Sequence, residues 1–136
     1  MPSTKEDIRK FLISELKTFC DNVETQFIHP LEYAEQNNKF PYITIIFGKA
    51  QVSENSKMAL QGISIIGFVK EDQNTLSEKI DEIEDKIIKA IYRKSGVVIS
   101  EIDNNNIFKP FGLDAGVYPP FGAVRIEILV ARTIMP

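Results

Sequence analysis

The sequence has few of the residues that metal binding and thiol chemistry require. Its 136 residues include one cysteine, Cys20, and one histidine, His29. A single cysteine cannot form an internal disulfide, which fits a reducing compartment. Zinc sites use three or four closely spaced His or Cys ligands, so we predict no metal site. We expect Cys20 to be a buried small hydrophobic residue and His29 to lie in a surface loop.

The chain also lacks an excess of basic charge and any long apolar run. Lys and Arg number 16 against 19 Asp and Glu, giving a net charge of −3, so the composition does not predict nucleic-acid binding. No apolar run approaches the ~20 residues that span a bilayer. The first residues lack the layout of a signal peptide, and we expect a cytoplasmic site of synthesis. The segment "GISIIG" lacks the lysine and helix start of a phosphate loop. We predict no catalytic residue and no cofactor.

Two segments have the spacing of amphipathic helices. Ser3 and Glu6 have capping-box spacing, with Thr4 as an alternative start, and Thr75 and Glu78 have the same spacing before the second helix. An apolar stripe follows each start. The first stripe is Ile8, Leu12, Leu16 and Phe19, and the second is Leu76, Ile80, Ile83, Ile87 and Ile91.

Charges on the second helix are segregated along its length, as the helix dipole favours. We interpret the acidic residues as a solvated face of this helix rather than a cation site: Glu78, Asp81, Glu82 and Asp85. The late basic residues are the best candidates for a phosphate contact: Lys86, Lys89, Arg93 and Lys94. Dipole complementarity and solubility explain these basic residues more simply, and we prefer that interpretation.

Four segments read as strands because they are rich in β-branched and aromatic residues and are bounded by turn residues. They are "YITIIF" (42–47), "MALQGISIIGFV" (58–69), "VVISEI" (97–102) and "AVRIEILVARTI" (123–134), while "VETQFI" (23–28) is either a strand or a lead-in. The predicted order is α-β-β-α-β-β in one domain spanning residues 1–136. We expect an α+β fold with a mainly antiparallel sheet of four strands or slightly more, and two helices on one face.

The last strand alternates cleanly, with Val124, Ile126, Ile128 and Val130 on one face. We place Arg125, Glu127 and Arg132 on the opposite face, where the two arginines are candidates for contacting a partner. This second face is too apolar to be left to water. Its predicted members are Thr44, Ile46, Ser64, Ile66, Phe68, Leu129 and Ala131.

The segment "NNNIFKPFGLDAGVYPPFG" (104–122) is an apolar loop that something must cover. It holds three of the seven prolines and three of the seven glycines, so neither a helix nor an ordinary strand can run through it. Aromatic residues are enriched in interface cores, and we predict an interface with another subunit. The alternative is that the loop folds back over its own core. The interface candidates are Phe108, Phe111, Tyr118 and Phe121.

The layout as a whole resembles the tail-terminator (tail-completion) proteins of long-tailed bacteriophages. The resemblance spans nearly the whole chain and rests on "IRKFLISEL", "FPYITIIF", "LQGISIIGFV" and "LSEKIDEIEDKIIKAI", followed by two strands split by a proline-rich loop. It implies a structural virion protein, assembled in the host cytoplasm and placed at the head-proximal end of the tail.

The resemblance also implies particular partners. Such proteins form a ring, usually a hexamer, that stops growth of the tail tube and presents a surface to the head–tail connector or neck proteins, and DNA passes through the bore without specific binding. They have no catalytic residues to carry over. Two alternatives stay open. One is another neck or head-completion protein, or a baseplate component, of the same type of virus. The other is a small-molecule-binding or enzymatic α+β domain with a pocket under the aromatic loop.

Overall fold

The fold was analysed in a computed structural model, which describes residues 4–52, 57–92, 94, 96–109 and 116–134. Within these residues the chain forms three helices and six strands that make one mixed sheet. In chain order they are α1 (Lys5–Leu16), β1 (Val23–Glu24), α2 (Pro30–Gln36), β2 (Tyr42–Val52), β3 (Met58–Lys70), α3 (Leu76–Ile91), β4 (Val97–Asp103), β5 (Val117–Tyr118) and β6 (Phe121–Thr133).

The sheet order is β1-β2-β3-β6-β4, and β5 pairs with the start of β6. β1 runs parallel to β2, whereas all other pairings are antiparallel. The predicted α+β class and the four predicted strands are confirmed, with β1 and β5 as short additions. β2 also runs beyond the predicted end at residue 47, to Val52.

The first core lies between the sheet and the helices α1 and α3. Its members are the alternating apolar residues of β2, β3 and β6 and both predicted helical stripes, with Phe19 only partly buried. The helices approach the sheet closely at Gly122, where an added Cβ would lie 2.6 Å from Cδ1 of Ile80. Cys20 is buried in this core as predicted, and burial raises the pKa of its thiol.

The two helix starts differ from each other. Thr4 caps α1 in a reciprocal capping box with Asp7, each side chain accepting the other residue's backbone N–H at 3.2 Å. This confirms the alternative start, and Ser3 lies outside the described residues. At α3 the predicted capping box of Thr75 with Glu78 is wrong. The Thr75 hydroxyl instead donates to the carbonyl of Asp72 at 3.3 Å, so it does not cap a helical N–H.

Helix α2 contradicts the prediction that the helices pack on one face only. Tyr33 of α2 stacks on Tyr42 of β2 with ring centroids 3.8 Å apart, and both side chains belong to a second core on the face opposite α1 and α3. The sequence did not reveal α2 because it has seven residues and no apolar stripe. Pro30 at its first turn is the start signal that could have been used.

Candidate functional site

Among the residues that the structure describes, one half of the second face of the sheet is covered and the other half is uncovered. The covered half holds a cluster of seven buried residues, called here the second core: Tyr33, Tyr42, Ile66, Phe68, Phe108, Phe121 and Ala123. The rings of Tyr42 and Phe68 stack at 4.8 Å. The Tyr42 hydroxyl donates to the carbonyl of Ile28 at 2.6 Å, and desolvation by burial strongly raises the pKa of Tyr42.

The aromatic loop supplies part of this second core. Phe108 and Phe121 are buried, and Tyr118 is half-buried against the cluster. The prediction that Phe108 and Phe121 face another subunit is therefore not met in the isolated chain, and the alternative of a loop folded over its own core describes both side chains. Phe111 lies outside the described residues.

His29 lies beside this loop segment instead of in a free surface loop. Its Nδ1 accepts the backbone N–H of Leu31 at 3.1 Å, so the imidazole caps α2. Its ring makes edge contacts with Phe108 and Tyr118, with centroids 6.0 Å away in each case. Desolvation lowers the pKa of His29, and the nearby charge of Glu32 partly opposes that effect.

The two candidate arginines lie in different places. Arg125 is on the second face as predicted, where its Nη2 donates to Asp103 at 3.0 Å and its Nε lies 3.5 Å from Glu127. Arg132 is on the other face. Residues alternate along a strand, so Arg132 shares its side with Val130, and its Nε donates to the buried Gln61 at 3.0 Å. The prediction that Arg132 lies opposite Val130 is wrong.

The uncovered half of the second face is apolar at its centre. The register places Leu60 beside Ala131, and Leu129 between Gly62 and Val98. Leu60 is 43% exposed and Val98 is 59% exposed, while Leu129 and Ala131 are half-buried. We call these four residues the open half. They extend the predicted apolar second face beyond the reach of the second core.

Both outer strands of the sheet expose backbone along one side. β1 pairs only with Ile43 and Thr44 of β2, which leaves residues 45–52 of β2 without a described partner on the outer side. β4 pairs with β6 on its inner side, and no described strand pairs with its outer side. Unpaired edges of this kind are templates for another strand.

A cleft of about 200 Å³ lies between α3 and the end of β3, with Phe40 and Ile83 among its apolar lining. Three lysines reach its rim, and two of them, Lys79 and Lys86, already flank Glu82 at 3.3 and 3.0 Å. These partners, Lys86 first, lower the pKa of Glu82. The cleft is smaller than the ~300–1,000 Å³ typical of small-molecule sites.

The acidic residues of α3 lie where the sequence predicted, but the helix ends at Ile91, so Lys94 lies beyond it. The four acids of the predicted solvated face are exposed: Glu78, Asp81, Glu82 and Asp85. Among the late basic residues, Lys94 reaches α1 and pairs with Glu15 at 2.8 Å, and Lys89 is exposed. Arg93 lies outside the described residues.

A scan against protein-family models and a search of curated proteins returned no match. In the described ranges, no three His, Cys, Asp or Glu side chains are grouped so that they could hold a metal ion. No helix of the part of the chain that the structure describes is long and apolar enough to cross a membrane.

Proposed function

We propose that this chain is a self-assembling structural protein of the tail-terminator kind, which forms a ring on the tail tube of a long-tailed phage. The ring would stop tube growth and present a surface to the neck proteins of the head. The observation that carries the proposal is the open half of the second sheet face. The similarity of element order and layout to tail terminators adds support.

The open half is an assembly surface on physical grounds. Contiguous apolar surface bordered by polar residues marks protein–protein contacts in soluble proteins. Leu60 and Val98 project from neighbouring parts of the sheet, and the acids Glu101 and Glu127 border them in the next row. The described residues of the second core do not reach the open half, so we propose that a partner covers it.

A ring requires contacts between two different surfaces of the same subunit. Such heterologous contacts close into a ring when the rotation between neighbours allows it. We propose a hexamer in the virion, with the tail tube protein on one side and a head–tail connector or neck protein on the other. DNA would slide through the bore without specific binding, and a gel shift tighter than the ~10⁻⁴ to 10⁻⁶ M of non-specific contacts would contradict this.

Native mass spectrometry and negative-stain electron microscopy test the ring directly, and adding the protein to polymerising tail tube protein tests the cap. We expect a closed ring and an arrest of tube growth. A chain that stays monomeric at high concentration, even with tube protein present, would overturn the proposal. A ring that binds a connector but leaves tube growth unchanged would favour a different neck protein.

A matched pair of variants tests the role of the open half. Leu60→Lys adds a charge at its centre, while Leu31→Lys makes the same change on α2 at nearly equal exposure, 42% against 43%. We expect Leu60→Lys to lower assembly at least tenfold, since a charge in an interface core costs about 2 kcal/mol or more. Leu31→Lys should assemble normally. Equal effects of the two changes would remove the open half from the interface.

A further inference from the structure

We propose that neighbouring subunits join by antiparallel strand pairing, with the outer edge of β2 in one copy against the outer edge of β4 in the next. This inference rests on the proposed self-assembly and names the contact that performs it. Each of these edges would therefore pair with the other edge of a second copy of this chain.

The first support is the direction of the strands. β2 is antiparallel to β3, β3 to β6, and β6 to β4, so β4 runs antiparallel to β2 within one subunit. A neighbour rotated about an axis along the strands would bring its β2 beside β4 in the antiparallel sense. The alternation then continues unbroken from one copy to the next, and each subunit uses two different edges, as a ring requires.

The second support is that the two edges lie at the same level along the strand direction. The register connects Ile46 of β2 with Ser64, then with Glu127, then with Glu101 of β4. Residues 45–47 of β2, before its bulge, therefore lie in the same cross-strand rows as residues 99–102 of β4, which has its own irregularity between Ile99 and Glu101. Matching stretches at opposite edges can meet in a ring without displacing one subunit along the axis.

The third support is charge. Near the β2 edge, Lys49 is exposed, and Lys5 and Arg9 lie over the Phe47 ring at 5.7 and 4.7 Å from its centroid. Two acids oppose them there: Glu6, paired with Arg9 at 2.7 Å, and Glu24 of β1, which lies beside Thr44. Together these groups give the β2 edge a net positive charge.

The β4 edge has the opposite sign. Its acidic groups are Glu101 and Asp103, with Glu127 beside them, and Arg125 is an opposing base. Opposite charges across a strand pair stabilise it and like charges destabilise it. This favours β2 against β4 over β4 against β4.

The side chains at both edges are suited to strand pairing. Val98 and Ile102 are 59% and 46% exposed on β4, while Ile46 and Phe47 are half-buried on β2. Cross-strand pairs of β-branched and aromatic residues are among the favourable ones. Pairing in the proposed direction would put Ile102 on the same sheet face as Phe47, and Val98 on the same face as Ile46.

Cysteine cross-linking tests the pairing. Lys49→Cys and Glu101→Cys are made singly and together, and each protein is treated with a short thiol-reactive cross-linker and run on a denaturing gel. The double variant should give a ladder of linked subunits ending at the ring size. Each single variant should stay unlinked, with linkage at least about tenfold lower, because pairing raises the effective concentration only between the two different edges.

The other outcomes distinguish this inference from the proposed function. Linkage by Glu101→Cys alone would show β4 against β4, and linkage by Lys49→Cys alone would show β2 against β2, and either result overturns the pairing. A double variant that forms rings by mass but gives no ladder overturns the pairing and leaves the ring. The control pair Lys49→Cys with Lys10→Cys, which places the second thiol on the exposed side of α1, should give no ladder. If it does, the cross-linking is not specific to the edges and the pairing is rejected.

Discussion

Truncation of Phe108 decides whether the aromatic loop belongs to the subunit or to an interface. The side chain is fully buried in the second core, with its ring 6.3 Å from Phe68 and 5.8 Å from Tyr118. Phe108→Ala should lower the free energy of unfolding by about 3–5 kcal/mol, since it removes buried area and leaves a cavity. That is a large part of the ~5–15 kcal/mol that holds a domain folded.

Phe27→Ala is the matched control. Phe27 also makes an edge contact with Phe68, at 5.9 Å, but it is 45% exposed. Its truncation removes less buried area and leaves no enclosed cavity, so we expect about 1 kcal/mol or less. Both losses are measured by urea unfolding, followed by far-UV circular dichroism and tyrosine fluorescence, in conditions where the midpoint does not depend on protein concentration.

Two results would refute this reasoning. Equal losses for Phe108→Ala and Phe27→Ala would mean that the burial of Phe108 contributes nothing in solution. Unchanged subunit stability with impaired ring formation would return Phe108 to the interface that the sequence suggested. An unchanged slope of the urea dependence is needed for either comparison, because the slope reports the surface exposed on unfolding.

Two further predictions concern His29 and Gly122. Desolvation lowers the pKa of His29 from its usual 6.5, so the unfolded chain binds the proton more tightly and stability should fall as pH drops below about 6.5 toward the folded-state value. His29→Asn keeps an N-cap acceptor and should show a weaker fall in melting temperature between about pH 7.5 and 5; an identical fall would rule out His29 as the cause. Gly122→Ala should cost about 1–3 kcal/mol by overpacking against Ile80, whereas Gly48→Ala, with its nearest atom at 3.5 Å, should change stability by less than about 0.5 kcal/mol. Similar costs in urea unfolding would contradict the close contact of α3 with β6.

The main elements could be predicted from the sequence because their patterns are long and regular. The α3 stripe and the alternation of β6 each repeat often enough to fix one buried face. The short elements carried no such signal. β1 and β5 have two residues each, and they exist only because neighbouring strands pair with them.

The loop shows where composition alone could not decide. Its aromatic content correctly indicated that its side chains must be buried. However, its proline and glycine residues leave no periodicity from which to predict whether each ring packs on its own core or faces a partner. The missing information was in other elements. Tyr42 and Phe68 lie on the second face at the same end of the sheet, and α2 brings Tyr33 over them. Only the fold brings these segments to Phe108 and Phe121.

The position of the second core also explains why the open half exists. The segment that contains α2 precedes β2, and the aromatic loop joins β4 to β6, so both cross the sheet at the end where β2 begins and β4 ends. The far end, around Leu60 and Val98, is crossed by neither segment in the part of the chain that the structure describes. Its apolar residues therefore depend on a partner. A ring joined through the β2 and β4 edges would place a neighbouring subunit beside Val98 of β4, so that the same assembly would cover the open half.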